Sequence, residues 1–371
     1  MRVIFAAGGT GGHINPAIAA ASELKERIPD AEILFIGTKD KMEAKLVPQA
    51  GFDFKTISIS GFQRKLSIKN IFRNIATVWR LLNCGRAVRK ILKSFRPDVV
   101  IGFGGYVSGP VVRTAAKMGI KTAIHEQNAF PGVTNKMLAK QVDAVMLTVA
   151  DAKKYLECKN APIVTGLPVR GEILRADRDF ARAELGIDDK PLVLSFGGSL
   201  GAKTINESMV SVISALHDSG KCNFIHAYGQ YGKWFPEKLR ENGVNPDKAK
   251  NVKISEYIHN MDKCLAAADI VICRSGASTL AELEASGRVS ILIPSPNVAE
   301  NHQYHNAMAL VNANAARVIE EKDLTAEKLI ETVNELTDND ALRKEMSENA
   351  KNLCVTDAQK QICDVIISLA H

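Results

Sequence analysis

The sequence predicts an α/β fold of two Rossmann-like, doubly wound parallel-sheet domains facing a cleft. Three observations carry this. Short apolar runs alternate with helical patterns along nearly the whole chain. A strand, a glycine loop and a helix occur in that order twice, 189 residues apart. A chain of 371 residues with 46% hydrophobic content has material for two ordinary cores.

In order, Val3–Ala7 reads as a strand, Gly8–His13 as a loop, and Pro16 as the opening of a helix reaching about Ile28. Strands follow at Ile33–Ile36, Asp98–Ile101, Thr122–His125 and Ala144–Leu147, with a glycine loop at Gly102–Gly109 and helices from Pro110 and over Val133–Ala139. The chain pauses near Thr165–Arg170, and then the pattern restarts. Leu192–Phe196 is a strand, Gly197–Gly201 a loop and Ala202–Leu216 a helix, followed by strands at Phe224–Ala227, Val252–Ile254, Ile270–Cys273 and Ser290–Ile293. Gly8, Gly9, Thr10 and Gly12 match Gly197, Gly198, Ser199 and Gly201. The expected domains are 1–168 and 169–355. The sequence leaves open whether a last helix, 356–371, returns to the first.

A glycine loop between strand and helix lets backbone approach a ligand, and the N–H groups at the helix start favour an anion. Single loops of this kind also make plain turns; two in matching places point to phosphate binding. Neither loop is a standard nucleotide fingerprint. Gly9-Thr10-Gly11 is followed by Gly12-His13-Ile14, which lacks the last glycine of the dinucleotide motif. Gly197–Thr204 has Ala202 where a P-loop needs glycine. Asp338-Asn339-Asp340 follows no strand and reads as a helix-capping turn rather than a metal site. The seven cysteines are dispersed with no C-x-x-C pair, so reduced thiols are expected and a structural zinc site is not.

Charge is uneven. Residues 1–170 hold 26 Lys and Arg against 12 Asp and Glu, while the remainder holds 22 against 29. From Arg64 to Arg96 there are ten basic residues and no acidic one, interleaved with apolar residues at helical spacing. Lys65, Lys69 and Arg73 beside Leu66, Ile68, Phe72, Ile75 and Trp79 fit an interfacial helix on an anionic membrane. The apolar stripe also suits the core face of a crossover helix. No recognition module for nucleic acid accompanies it, so none is expected as a partner. No apolar run is long enough to span a bilayer and no secretory signal precedes the first strand. The expected location is therefore the cytoplasmic side.

Taken together, Gly8–His13, Gly102–Gly109, His125-Glu126-Gln127-Asn128, Gly197–Ala202, Arg274–Glu282 and His302–Ala307 resemble the MurG family, N-acetylglucosaminyltransferases of bacterial peptidoglycan synthesis. The resemblance runs nearly end to end. It implies a GT-B fold and inverting transfer of GlcNAc from UDP-GlcNAc to the MurNAc 4-hydroxyl of undecaprenyl-pyrophosphoryl-MurNAc-pentapeptide. It implies a peripheral enzyme on the cytoplasmic face of the bacterial cell membrane, with other cell-wall synthesis proteins as further partners.

Position by position, the resemblance implies donor contacts at Thr10, Gly11, Gly12, Asn128, Arg170, Ser199, Ile258, Ala277, Ser278, Thr279, Leu280, Ala281, Glu282 and Gln303. Glu282 would hold the ribose, the Ile258 backbone the uracil, and the Gln303 region the sugar hydroxyls. Pro294–Gln303 is one residue longer than the family pattern, which leaves His302 as an alternative to Gln303. Gly104, Gly105 and Tyr106 fall on the acceptor side.

Leaving-group charge at the UDP phosphates can be met by helix-start N–H groups at Ser199 and by Arg170, so no cofactor and no tightly bound metal is expected. His13 is the candidate general base, since a histidine's ordinary pKa of about 6.5 suits proton abstraction. His13 can also serve only to bind phosphate or cap the helix. Glu126 and His125 are the alternatives. The rivals are another UDP-sugar enzyme of this fold, acting on a membrane lipid such as diacylglycerol or epimerising a UDP-sugar, and a non-catalytic nucleotide-dependent membrane-binding protein.

Overall fold

The computed structural model describes residues 1–59 and 84–371. These form two compact units, Met1–Pro168 with Asp357–His371, and Val169–Thr356.

The first unit runs β1 Arg2–Ala6, α1 Gly11–Arg27, β2 Glu32–Gly37, α2 Glu43–Gln49, β3 Asp53–Thr56, α3 84–95, β4 Val99–Gly102, α4 Gly105–Lys117, β5 Lys121–Glu126, α5 Val133–Ala139, β6 Ala144–Leu147 and β7 Ile163–Val164. Its strands form one parallel sheet in the order β3-β2-β1-β4-β5-β6-β7. Phe5 sits beside Phe35 on one flank and Ile101 on the other, which fixes the register at the centre. Strands buried on both faces need continuous apolar runs, and Val3, Ile4, Phe5 and Ala6 have no exposed surface.

The second unit runs α6 Gly171–Arg175, α7 Arg178–Leu185, β8 Leu192–Phe196, α8 Lys203–Leu216, β9 Asn223–Ala227, α9 Phe235–Glu241, β10 Val252–Ser255, α10 Met261–Ala267, β11 Ile270–Cys273, α11 Ala277–Ser286, β12 Val289–Leu292, α12 His302–Asn312, β13 Ala316–Val318, α13 Ala326–Asp338 and α14 Asp340–Leu353. Its parallel sheet has the order β10-β9-β8-β11-β12-β13. Asn339 caps α14 by accepting from the Leu342 N–H at 3.0 Å, so the Asp-Asn-Asp turn does local work.

The last helix, α15 Ala358–Ala370, belongs to the first unit. Ile362, Cys363, Val365 and Ile366 pack in the core that holds Ala17, Ala20, Ala21 and Leu24 of α1. Arg27 of α1 donates to Asp364 at 2.6 Å.

Two helix starts differ from the sequence expectation. Pro16 and Pro110 do not open their helices. Each is the sixth residue of a helix that begins in the glycine loop, at Gly11 and at Gly105. Proline at that depth removes one backbone donor. In α4, Ser108 Oγ accepts from the Gly104 N–H at 2.9 Å and lies 2.8 Å from the Ala6 carbonyl at the end of β1.

Candidate functional site

In an open parallel sheet, ligands bind beyond the C-terminal ends of the strands, where the strand order reverses. That point lies between β1 and β4 in the first unit and between β8 and β11 in the second. The glycine loops and the Arg274–Thr279 segment leave those four strand ends. Each unit therefore has its own candidate site.

In the second unit the site is a cavity of about 510 Å³. Gly197 and Gly198 line it together with Lys203 and Thr204 of the α8 start, Thr279 of the α11 start, Arg274 and Gln303. Gly198 has φ +88, as its partner Gly9 has φ +90. Beyond those positions the two loops diverge. Gly201 also has positive φ and α8 begins at Lys203, whereas α1 is already helical at Gly11.

Arg274 is a half-buried cation of this cavity. Its guanidinium donates to the carbonyls of Ile293 and Pro294 at 3.1 Å each and pairs with Glu321 at 2.5 Å. Arg274, Lys203 and Glu321 were not singled out from the sequence as ligand-facing. Arg274 lay at the edge of a recognised segment, and the placement of Glu321 depends on β13 pairing beside β12.

Gln303 lines the cavity, and its side-chain oxygen accepts from the Ser295 N–H at 2.8 Å. His302 instead bonds through Nδ1 to the Ala299 carbonyl at 2.8 Å. Thr279 faces the cavity, while Leu280 and Ala281 are buried in the helix's packed side. Ala277 and Ser278 are half-buried in its first turn, and Ile258 is buried. Ser199 is exposed at the loop tip, with its carbonyl accepting from the Gln230 N–H at 3.2 Å.

Glu282 sits two turns into α11 and accepts from Arg170 Nε at 2.9 Å. Burial pushes the Glu282 carboxyl above its ordinary range, and Arg170 offsets this only in part. The two residues lie 112 positions apart and both belong to the second unit.

In the first unit, Gly8–His13 and Gly104–Tyr106 meet at the switch point. Both Gly104 and Gly105 have positive φ, and a Cβ on Gly105 would collide with the Gly8 carbonyl. Tyr106 is exposed at the start of α4. Gly11 and Gly12 form the first turn of α1 after Thr10. His13 Nδ1 lies 3.2 Å from the Gly8 carbonyl and 3.3 Å from Thr10 Oγ1. A carbonyl can only accept, so Nδ1 donates to it, and in the neutral ring the lone pair is on Nε2.

Glu126 is a different kind of group, a carboxylate engaged by its own loop. It is 2% exposed and both oxygens are engaged. Oε1 accepts from the Asn128 N–H at 2.9 Å and from Asn128 Nδ2 at 3.2 Å. Oε2 accepts from the Gly132 N–H at 3.1 Å and from Asn135 Nδ2 at 2.7 Å. Glu126 thus organises the 126–135 loop and sets the Asn128 amide. His125 has no exposed surface. Its Nε2 donates to the Gly166 carbonyl at 2.9 Å, and burial pulls its pKa down to about 4, so it stays neutral inside the core.

Lys65, Leu66, Ile68, Lys69, Phe72, Arg73, Ile75 and Trp79 lie outside the described residues. The described end of that basic stretch is α3, with Cys84, Val88 and Leu92 buried and Arg86, Arg89, Lys90 and Lys93 exposed. Among the described residues no helix is long and apolar enough to cross a membrane, and none of their His, Cys, Asp and Glu side chains form a cluster fit to hold a metal ion.

The model for the glycosyltransferase family 28 N-terminal domain matches residues 3–147, and that for the family's C-terminal domain matches residues 192–362. A curated relative from Thermoanaerobacter sp. (strain X514) is 46% identical over 370 residues, covering 100% of both chains. It is named UDP-N-acetylglucosamine--N-acetylmuramyl-(pentapeptide) pyrophosphoryl-undecaprenol N-acetylglucosamine transferase. A relative of the same name from Desulforamulus reducens is 45% identical, covering 98% of this chain and 97% of its own. The crystal structure of Acinetobacter baumannii MurG superposes with a TM-score of 0.80 at 29% identity, covering 99% of each chain.

Proposed function

The chain belongs to glycosyltransferase family 28, with the two-domain GT-B fold of its MurG members, and we propose that it transfers GlcNAc from UDP-GlcNAc to the MurNAc 4-hydroxyl of undecaprenyl-pyrophosphoryl-MurNAc-pentapeptide, with inversion at the anomeric carbon. The observation that carries the donor half is the second-unit cavity. It combines a glycine cradle and two helix starts with the cations Lys203 and Arg274. Negative charge grows on the UDP phosphates as the glycosidic bond breaks. Preorganised N–H groups and nearby cations stabilise that charge more than they stabilise the intact donor. These residues supply the charge that a metal ion supplies in other transferases, so the reading includes no tightly bound metal.

Glu282 accepts from the ribose hydroxyls in this reading, and the Ile258 backbone receives the uracil. Thr279 and Gln303 border the phosphate and sugar end. Arg170, now engaged by Glu282, is the residue whose charge passes to the diphosphate when the donor enters. In the first unit His13 Nε2 takes the proton of the acceptor hydroxyl. The exposed cations of α3 and the basic stretch before it hold that unit on the cytoplasmic face of an anionic membrane, where a lipid-linked acceptor resides.

The test is UDP release from UDP-GlcNAc with a soluble analogue of the lipid-linked MurNAc-pentapeptide acceptor, run with and without EDTA. Acceptor-dependent release that EDTA leaves unchanged is expected. Release with diacylglycerol in place of the MurNAc acceptor would overturn the acceptor assignment.

A further inference from the structure

Glu43 is the first residue of α2, and it has no exposed surface. A carboxylate without water is costly unless hydrogen-bonded. Here Oε1 accepts from the Thr38 N–H at 3.0 Å and from Thr38 Oγ1 at 2.6 Å, while Oε2 accepts from the Gly9 N–H at 3.1 Å. Burial alone would push its pKa up, but the donors from Thr38, Gly9 and its own backbone outweigh it. The group is ionised at neutral pH. Thr38 follows β2 and Gly9 follows β1, so one carboxylate ties the ends of two adjacent strands.

The neighbouring sequence makes room for it. A Cβ on Gly8 would stand 2.7 Å from Glu43 Oε1, and one on Gly37 would stand 2.6 Å from Glu43 Cγ. Two glycines therefore clear the space this side chain fills. The bonded Gly9 amide has φ +90, and the carbonyl just before it, Gly8, is the acceptor for His13 Nδ1. Gly105 abuts the same carbonyl from the other side. Glu43 thus grips the peptide that orients the imidazole, although it lies in a different element.

We propose that Glu43 is a positioning residue for the transfer, fixing the Gly8–Gly9 peptide so that the Gly8 carbonyl holds the Nδ1–H tautomer of His13. The inference rests on the reading of His13 as the base. No bond forms or breaks at Glu43. Its work is to keep the lone pair of His13 on Nε2, at a set angle.

The test compares Glu43→Gln, His13→Ala and the double variant. Glutamine keeps the size, but it cannot accept from both Thr38 and Gly9 without turning its NH₂ toward one of them. Glu43→Gln is expected to lower kcat about 10–100-fold, with the KM for UDP-GlcNAc within about twofold of the parent. In the His13→Ala background the same change should alter kcat by less than about threefold, because residues acting as a unit are non-additive.

¹⁵N NMR of the imidazole should report the Nδ1–H tautomer in the parent and a growing Nε2–H population in Glu43→Gln. Where Glu43→Gln compromises folding of the first unit, Thr38→Val removes a single hydroxyl donor and should show the same tautomer shift in smaller degree. Full multiplicative loss in the double variant, or an unchanged tautomer in a folded Glu43→Gln protein, would overturn the inference while leaving the base assignment standing. Near-normal turnover of His13→Ala would instead remove the base assignment itself.

Discussion

Arg170 and Glu282 form an ion pair that a bound nucleotide reorganises in the function proposed above. Half of the Arg170 side chain is exposed, so the pair itself is worth little to stability. Its value lies in where the two charges go. If Arg170 serves the diphosphate, Arg170→Ala should weaken UDP binding about tenfold, the size of one charge-assisted contact, and leave uridine within about twofold. Isothermal titration of both ligands checks this; equal losses for the two would place Arg170 on the nucleoside.

The residue scale also shows where sequence reading stops. His13 was visible because it stands at a glycine loop, and Glu282 because it lies in the helix after the small-residue Arg274–Thr279 segment that the family resemblance covers. Glu43 was not, since an acidic residue at a helix start reads as an ordinary surface charge until the fold puts Gly9 and Thr38 around it. Glu126 was visible as a polar residue after a strand, but only its four donors separate an organising carboxylate from a catalytic one.

At the level of elements, α11 does two things at once. Its start borders the donor cavity, and its far side buries Glu284, which is 8% exposed. Burial raises the Glu284 pKa from 4.5 to about 7. The folded state therefore holds this proton more tightly than the unfolded chain. The associated stability is fully present below pH 4.5 and is lost as pH rises through about 7. Glu284→Gln keeps the neutral shape and removes the titration. It should flatten the fall in unfolding free energy between pH 5 and pH 8 by an amount on the order of 3 kcal/mol at most. Urea unfolding at the two pH values measures it, and an unchanged pH dependence would refute it.

Most elements were legible because buried parallel strands need apolar runs. The strands missed are β3, β7 and β13, of four, two and three residues, each partly or wholly open to solvent, and the short helices α2, α6 and α7 were missed too. Such edge strands are too short or too polar to show as an apolar run. The prolines in α1 and α4 misled because local rules place proline at a helix start, whereas these helices begin five residues earlier, at Gly11 and Gly105.

For the whole molecule, α15 decides how the chain is divided. Ile362, Val365 and Ile366 each contribute roughly 1.5–3 kcal/mol of burial, a sum comparable with the entire stability of a domain. Deleting Asp357–His371 should therefore unfold the first unit while the second still binds UDP. Circular dichroism melting with UDP titration tests both halves, and a cooperative first-unit transition at the parent temperature would contradict it.

The charge asymmetry acts on the same scale. Each exposed cation near anionic lipid is worth about 1 kcal/mol. Replacing Arg86, Arg89, Lys90 and Lys93 by Gln should weaken binding to phosphatidylglycerol vesicles about 100–1000-fold at low salt. Equal parent binding to neutral and anionic vesicles would exclude the electrostatic attachment.

The sequence by itself determined the parallel α/β class, the repeat of a glycine loop at each first strand, and the family, because apolar periodicity and glycine spacing are local properties. The tertiary structure decided which charges line a cavity and which are consumed within the fold. Arg274 with Glu321, Arg170 with Glu282, and Glu43 with Gly9 are separated by 34 to 112 residues. Whether such a group acts on a substrate or on its own backbone depends on its partners and burial, and chain folding alone brings those partners within hydrogen-bond range.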